Sequence, residues 1–203
     1  MERFYVTTKG AHAVVSATDN TPKEATAYIV IGNRIPRDYF VTKGRGESNI
    51  TVHAGSYHLA LRSAGIEMCN IITYSSILPA CATEVERPAE LIHGAVLETI
   101  MAVSTADRGD RATAGIAWGW LNDRENATRH GGLVCEYNGS DLPAEAEEQL
   151  RMSLDELYDN GYSEQFRLEE ITVHMDSFVP KKQYGTSIVS MCFLNHFVPI
   201  VES

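Results

Sequence analysis

Residues 64–79 read AGIEMCNIITYSSILP. An apolar run ending near Tyr74 leads straight into two adjacent hydroxyls, Ser75 and Ser76, and the segment closes on the turn-forming Pro79. MCNIITY has the length and β-branched content of a buried strand, so the serine pair falls at a strand end. Two serines there ordinarily make a turn, with their hydroxyls bonded to nearby backbone.

The flanking sequence extends this reading in both directions. Upstream, SYHLALRSA (residues 56–64) predicts a short amphipathic helix: Ser56 can cap it, Tyr57, Ala60, Leu61 and Ala64 line one face, and Gly65 supplies the stop. Further upstream, Gly44-Arg45-Gly46 lacks the spacing of a phosphate or dinucleotide loop and reads as a mobile loop. Downstream, HGAVLETIMAVST predicts a strand ending near the turn DRGD, ATAGIAWGWL leans to strand, and GGLVCEY is a strand closed by Asn138-Gly139. Trp118 and Trp120 would then share one strand face as packing residues.

SDLPAEAEEQLRMSLDELYDNGY carries the clearest helix, capped by Ser140 or Asp141, with Leu150, Leu154, Leu157 and Tyr158 as its apolar stripe and Asn160-Gly161 as its end. Two final strands, LEEITVHM and GTSIVSMCFLNHFV, complete a strand-rich pattern with a few helices. The expected fold class is α+β, sheets covered by helices.

Composition narrows the possible partners. The 203 residues suffice for one sizeable core, and the net charge of −10 argues against nucleic acid and anionic lipid, both of which need basic surface. No apolar run approaches the roughly 20 residues of a membrane span. MERFYVTTKG lacks the apolar core of a secretion signal, so the expected location is cytoplasmic. Cys69, Cys81, Cys135 and Cys192 form no C-x-x-C pair, the seven histidines fall at no metal-ligand spacing, and no metal is expected.

A hydrolase serine is not indicated, because no G-x-S-x-G elbow surrounds the pair. The arrangement instead suits a nucleophile turned on its own backbone. The Ser76 hydroxyl can attack the Ser75 carbonyl and convert the peptide bond to an ester, if the turn is strained and the oxyanion stabilised. Elimination and hydrolysis would then leave a pyruvoyl group at residue 76.

The segment resembles the processing region of the pyruvoyl-dependent arginine decarboxylases. The shared elements are Ala64-Gly65-Ile66, Asn70 six residues before Ser76, and Ser75-Ser76-Ile77-Leu78-Pro79. The likeness continues in order through IPRDYFVTKG at Ile35, HGAVL at His93 and GGLVCEYNG at Gly131, and covers roughly residues 35–196. It implies a four-layer α-β-β-α sandwich. It also implies a zymogen that cleaves between Ser75 and Ser76 into a β chain, 1–75, and an α chain, 76–203, that begins with the pyruvoyl cofactor. Residues 1–36 would be an N-terminal extension and 37–203 the decarboxylase domain. Asn70 would assist self-cleavage through hydrogen bonding, and Glu136 would be the catalytic proton donor.

The implied reaction converts L-arginine to agmatine and CO₂ through a Schiff base to the pyruvoyl group. It serves polyamine supply or acid resistance, in trimers or hexamers with sites between neighbouring subunits. The chemistry needs an electron sink and a carboxyl group kept neutral; Leu133, Val134 and Cys135 supply part of an apolar setting for Glu136. One position departs from the family pattern. Where arginine-specific members are expected to carry a carboxylate, 18 residues before the modified serine, this chain has His58. Histidine cannot offer a guanidinium the paired hydrogen bonds of a carboxylate, and Glu98 is the candidate replacement acid. Both are candidate substrate-binding residues. The other readings open at this point are a decarboxylase of a different amino acid, and an unprocessed, non-catalytic homologue acting in binding or assembly.

Overall fold

The computed structural model describes residues 33–198. A compact unit spans Pro36–Asn195, and the flanking segments Met1–Ile35 and His196–Ser203 form a second unit. Most of the N-terminal extension expected at residues 1–36 lies outside the described residues.

In chain order the elements begin with β1 (Ile35–Pro36), β2 (Asp38–Ser48), a π-helical turn (Val52–Tyr57) and α1 (His58–Ala64). Next come β3 (Asn70–Thr73), β4 (Ile77–Pro79), β5 (Thr83–Glu84), β6 (Val96–Asp107), β7 (Ala112–Asp123) and β8 (Arg129–Gly139). The chain continues through α2 (Pro143–Asp159), β9 (Phe166–Phe178), β10 (Tyr184–Phe193) and β11 (His196–Phe197). The protein is a mixed α+β fold, mostly sheet, as expected. A five-stranded sheet runs β3-β6-β10-β2-β5 and a four-stranded sheet runs β4-β8-β7-β9.

The strand sequences explain the packing. β7 has no exposed residue from Ala112 to Leu121, as befits the strand flanked by β8 and β9. Its large residues, Ile116, Trp118 and Trp120, join Ile100, Val189, Met191 and Phe193 of the other sheet in one buried cluster. Its alternate positions carry Gly115, Ala117 and Gly119. A Cβ on Gly115 would stand 2.9 Å from Leu150 Cδ1, so the small face is what lets α2 approach. Ala146, Leu150 and Leu154 recur at helical spacing on the buried side of α2.

A second cluster joins Ala60, Leu61 and Ala64 of α1 to Phe40, Leu97, Ile188 and Cys192 of the five-stranded sheet. Here the structure corrects one expectation. Gly44-Arg45-Gly46 is not a loop but the interior of β2, paired with Ile188, Ser187 and Thr186 of β10. The glycines serve close approach: a Cβ on Gly44 would collide with the Ala60 carbonyl, and one on Gly46 with the Ser56 carbonyl. Arg45, between them, reaches Asp176 of β9, whose second carboxylate oxygen accepts from Ser187 Oγ at 2.8 Å.

Three boundaries also differ from expectation. Ser56 does not cap α1; it lies buried in the π-helical turn, with its hydroxyl 2.8 Å from that of Thr186. The N-cap of α2 is Leu142, whose N–H is bonded by Glu145 at 3.1 Å, and Pro143 occupies the first turn, so the cap falls after Ser140 and Asp141. Asn138 and Gly139 remain in β8, paired with Ala114 and Thr113. β3 is a further correction, being an outermost strand with Ile72 46% exposed rather than a buried one.

Candidate active site

The serine pair lies in the link from β3 to β4, each at one edge of its sheet. Tyr74 anchors the link from one side: its N–H donates to the Thr99 carbonyl at 2.7 Å, and its ring lies 5.5 Å from that of Phe193. On the other side, the Val134 N–H of β8 donates to the Ser76 carbonyl at 2.9 Å. Between these anchors the Ile77 N–H donates to the Ser75 carbonyl at 3.1 Å. That bond closes a three-residue turn centred on Ser76. Neither serine has positive φ.

Glu136 reaches the same place from β8. Ile77 pairs with Leu133, which puts Ser76 level with Val134 and makes Glu136 its diagonal neighbour on the same sheet face. Burial raises the Glu136 pKa above the ordinary carboxylate value, opposed in part by the residue's own backbone N–H and by the nearby Ser76 hydroxyl. The adjacent Cys135 points to the α2 side, where burial first and then the Glu136 charge push its thiol up to about 11.

Glu98 faces the same interior from the other sheet. It pairs with Phe193, a residue of the cluster between the sheets, and is only 2% exposed. Ser104, on the same face of β6, donates to the Gly139 carbonyl of β8 at 2.8 Å, which fixes this face toward β8. The other two expected residues are both exposed. Asn70 is exposed, and its side-chain amide donates to the Gly94 carbonyl at 2.9 Å. His58 is exposed at the first position of α1, on the helix covering the opposite face of the five-stranded sheet.

Sequence reasoning missed the support given by Tyr74, Thr99 and Phe193. No sequence signal pairs Thr99 with Tyr74, since that bond is made by backbone. Among the described residues no group of three His, Cys, Asp or Glu could hold a metal ion. A separate cavity of about 280 Å³, lined by Tyr39, Glu84, Trp118, Trp120, Arg129 and Glu170, contains none of the candidate site residues. Among the described residues no helix is long and apolar enough to cross a membrane.

Fold and site together define an α+β protein with two large sheets and a serine pair at a sheet edge, diagonal to a half-buried acid. The family described as pyruvoyl-dependent arginine decarboxylase (PvlArgDC) matches residues 38–197, and the chain belongs to that family. It is 30% identical over 191 residues to pyruvoyl-dependent arginine decarboxylase AaxB of Chlamydia abortus, covering 81% of this chain and 93% of that one. It is 33% identical over 150 residues to pyruvoyl-dependent arginine decarboxylase 1 of Archaeoglobus fulgidus, covering 70% and 90%. A relative from Methanococcoides burtonii is 39% identical over 83 residues, which span 45% of its length.

Proposed function

We propose that this chain cleaves itself between Ser75 and Ser76, converts residue 76 to a pyruvoyl group, and decarboxylates L-arginine to agmatine. The observation that carries the reading is that Ser76 and Glu136 are diagonal neighbours on one sheet face, at a turn in which the Ser75 and Ser76 carbonyls each receive a backbone N–H. The names of the relatives supply arginine as the substrate.

The residues around position 76 fit the group. Val134 would hold the carbonyl beside it, and Glu136 lies within reach of the carbon that the Ser76 hydroxyl now substitutes. Once formed, the group accepts the electron pair released as CO₂ leaves. Glu136, protonated to higher pH by burial, returns a proton to carbon. Glu98, buried on the facing sheet, supplies the carboxylate for the guanidinium. Asn70, through its bond to Gly94, steadies the start of β3 and so the position of the turn. His58 would meet substrate bound by a neighbouring subunit.

Self-association as a trimer or hexamer of cleaved protomers follows from the family resemblance and has support in the surface around the site. Met68, Ile72 and Ile77 are 43%, 46% and 53% exposed at the sheet edges that carry the serines, an apolar margin suited to a second copy. The four-layer sandwich is supported by three clusters in series, α1 on one sheet, sheet on sheet, and α2 on the other. Residues 1–36 form an extension to the decarboxylase domain at 37–203, and the enzyme works in the cytoplasm in polyamine or acid metabolism.

The deciding experiment is a denaturing gel with intact mass, borohydride reduction, and CO₂ release from labelled arginine. Two fragments of residues 1–75 and 76–203, a reducible carbonyl on the second, and released CO₂ are expected. One intact chain without a reactive carbonyl overturns the reading.

A further inference from the structure

We propose that the backbone N–H of Ile77 is the oxyanion donor for self-cleavage, so that the turn itself supplies the oxyanion stabilisation the reaction needs. The proposal rests on the self-processing reading above and assigns a catalytic group within it.

The first step of that chemistry is an isomerisation. Ser76 Oγ bonds to the Ser75 carbonyl carbon, the carbon–nitrogen bond between the two residues breaks, and the hydroxyl proton ends on the freed nitrogen. Negative charge develops on the Ser75 carbonyl oxygen as the tetrahedral centre forms. A donor aimed at that oxygen beforehand lowers the barrier, because its dipole needs no reorganisation when the charge appears. The Ile77 N–H meets this requirement, being 3.1 Å from the Ser75 oxygen in the uncleaved chain. The Asn70 side-chain amide is engaged with the Gly94 carbonyl.

The strand register explains why this N–H is available. Ile77 lies opposite Leu133, and the ladder bond beside it runs from the Val134 N–H to the Ser76 carbonyl. In an antiparallel pair this makes Ile77–Leu133 a non-hydrogen-bonded position, so the Ile77 N–H points away from β8. It can serve the scissile carbonyl without costing the sheet a bond. The two donors thus flank residue 76: Val134 holds its carbonyl in place, and Ile77 reaches back over it to the carbonyl under attack. The backbone φ of Ser76 is not positive, so an inverse three-residue turn achieves this with an ordinary L-residue.

The test replaces the Ile77 amide by an ester, incorporating the matching α-hydroxy acid at position 77 in the full chain. The change removes the N–H and retains the side chain. Cleavage is followed on denaturing gels, beside circular dichroism and thermal melting of the uncleaved precursor. The expected result is a precursor that folds as the unmodified chain does and cleaves on the order of 10²–10³ times more slowly. Ile77→Pro should show the same slowing, since β4 is an edge strand that tolerates proline, while Ile77→Val, which keeps the N–H, should cleave at the normal rate. A folded ester variant that cleaves within twofold of the unmodified chain overturns the proposal, as does equal slowing by Ile77→Val. Failure of the unmodified chain to cleave overturns instead the self-processing reading beneath it.

Discussion

Ser76 and Glu136 stand 60 positions apart in the sequence yet are diagonal neighbours on one face of the four-stranded sheet. The placement follows from β4 pairing antiparallel with β8, with Ile77 opposite Leu133. It puts the hydroxyl that would be consumed in processing on the same face as the acid that would serve turnover.

Ser76→Ala removes the attacking oxygen while leaving the backbone turn able to form. The variant should remain one intact chain on a denaturing gel after prolonged incubation, with no carbonyl reducible by borohydride. Ser75→Ala should still cleave, because Ser75 contributes its backbone carbonyl to the reaction. Cleavage of the Ser76 variant would move the scissile bond elsewhere.

Glu136→Gln should separate processing from turnover. Glutamine can still accept a hydrogen bond from the Ser76 hydroxyl, so cleavage should proceed at a comparable rate. It has no acidic proton to deliver to carbon, and CO₂ release should fall by about 10²–10⁴-fold. Equal loss of both activities would contradict a proton-donor role.

Burial raises the pKa of Glu136, and the donor form is the protonated one. The rate should therefore be sustained below the raised pKa and lost as pH rises through it. A profile of kcat/KM against pH should show a basic limb with its midpoint above 4.5, the ordinary glutamic acid value. A midpoint at or below that value would remove burial from the account.

Glu98→Gln should act on recognition. Losing a charged partner for the guanidinium costs about 1.5–3 kcal/mol, or about 10–100-fold in KM for arginine, with a smaller change in kcat. A screen of CO₂ release across amino acids, run in parallel on His58→Ala, tells which position selects the substrate. Unchanged KM in the Glu98 variant would pass that role to another residue.

Gly46→Val tests the packing of α1 on β2. The added side chain would press on Ser56 and Leu59, where a Cβ alone would stand 2.6 Å from the Leu59 Cβ. The expected cost is about 1–3 kcal/mol, read as a lower melting temperature of the precursor. A melting temperature equal to that of the unchanged chain would show that α1 can lift without penalty.

Much of the site was legible in the chain because its reactive atoms are local. Ser75, Ser76 and Pro79 lie in one short segment, and their order is enough to suggest a backbone that attacks itself. The α2 stripe was likewise visible, since helical periodicity is written directly in residue spacing, whereas the small apolar residues of β7 fit helix and strand periods alike. The glycines of β2 misled because a sequence shows that glycine is small without showing what comes close to it. Gly44 and Gly46 mark the passage of α1, not a loop. The sequence by itself determined the class of fold and pointed to Ser76 and Glu136 as nucleophile and acid. Only the tertiary structure decided that Glu136 meets Ser76, that Asn70 binds Gly94, and that Glu98 faces the interior while His58 faces solvent. These are consequences of strand register and sheet face, which arise from pairing between segments distant in sequence, and no local spacing records them.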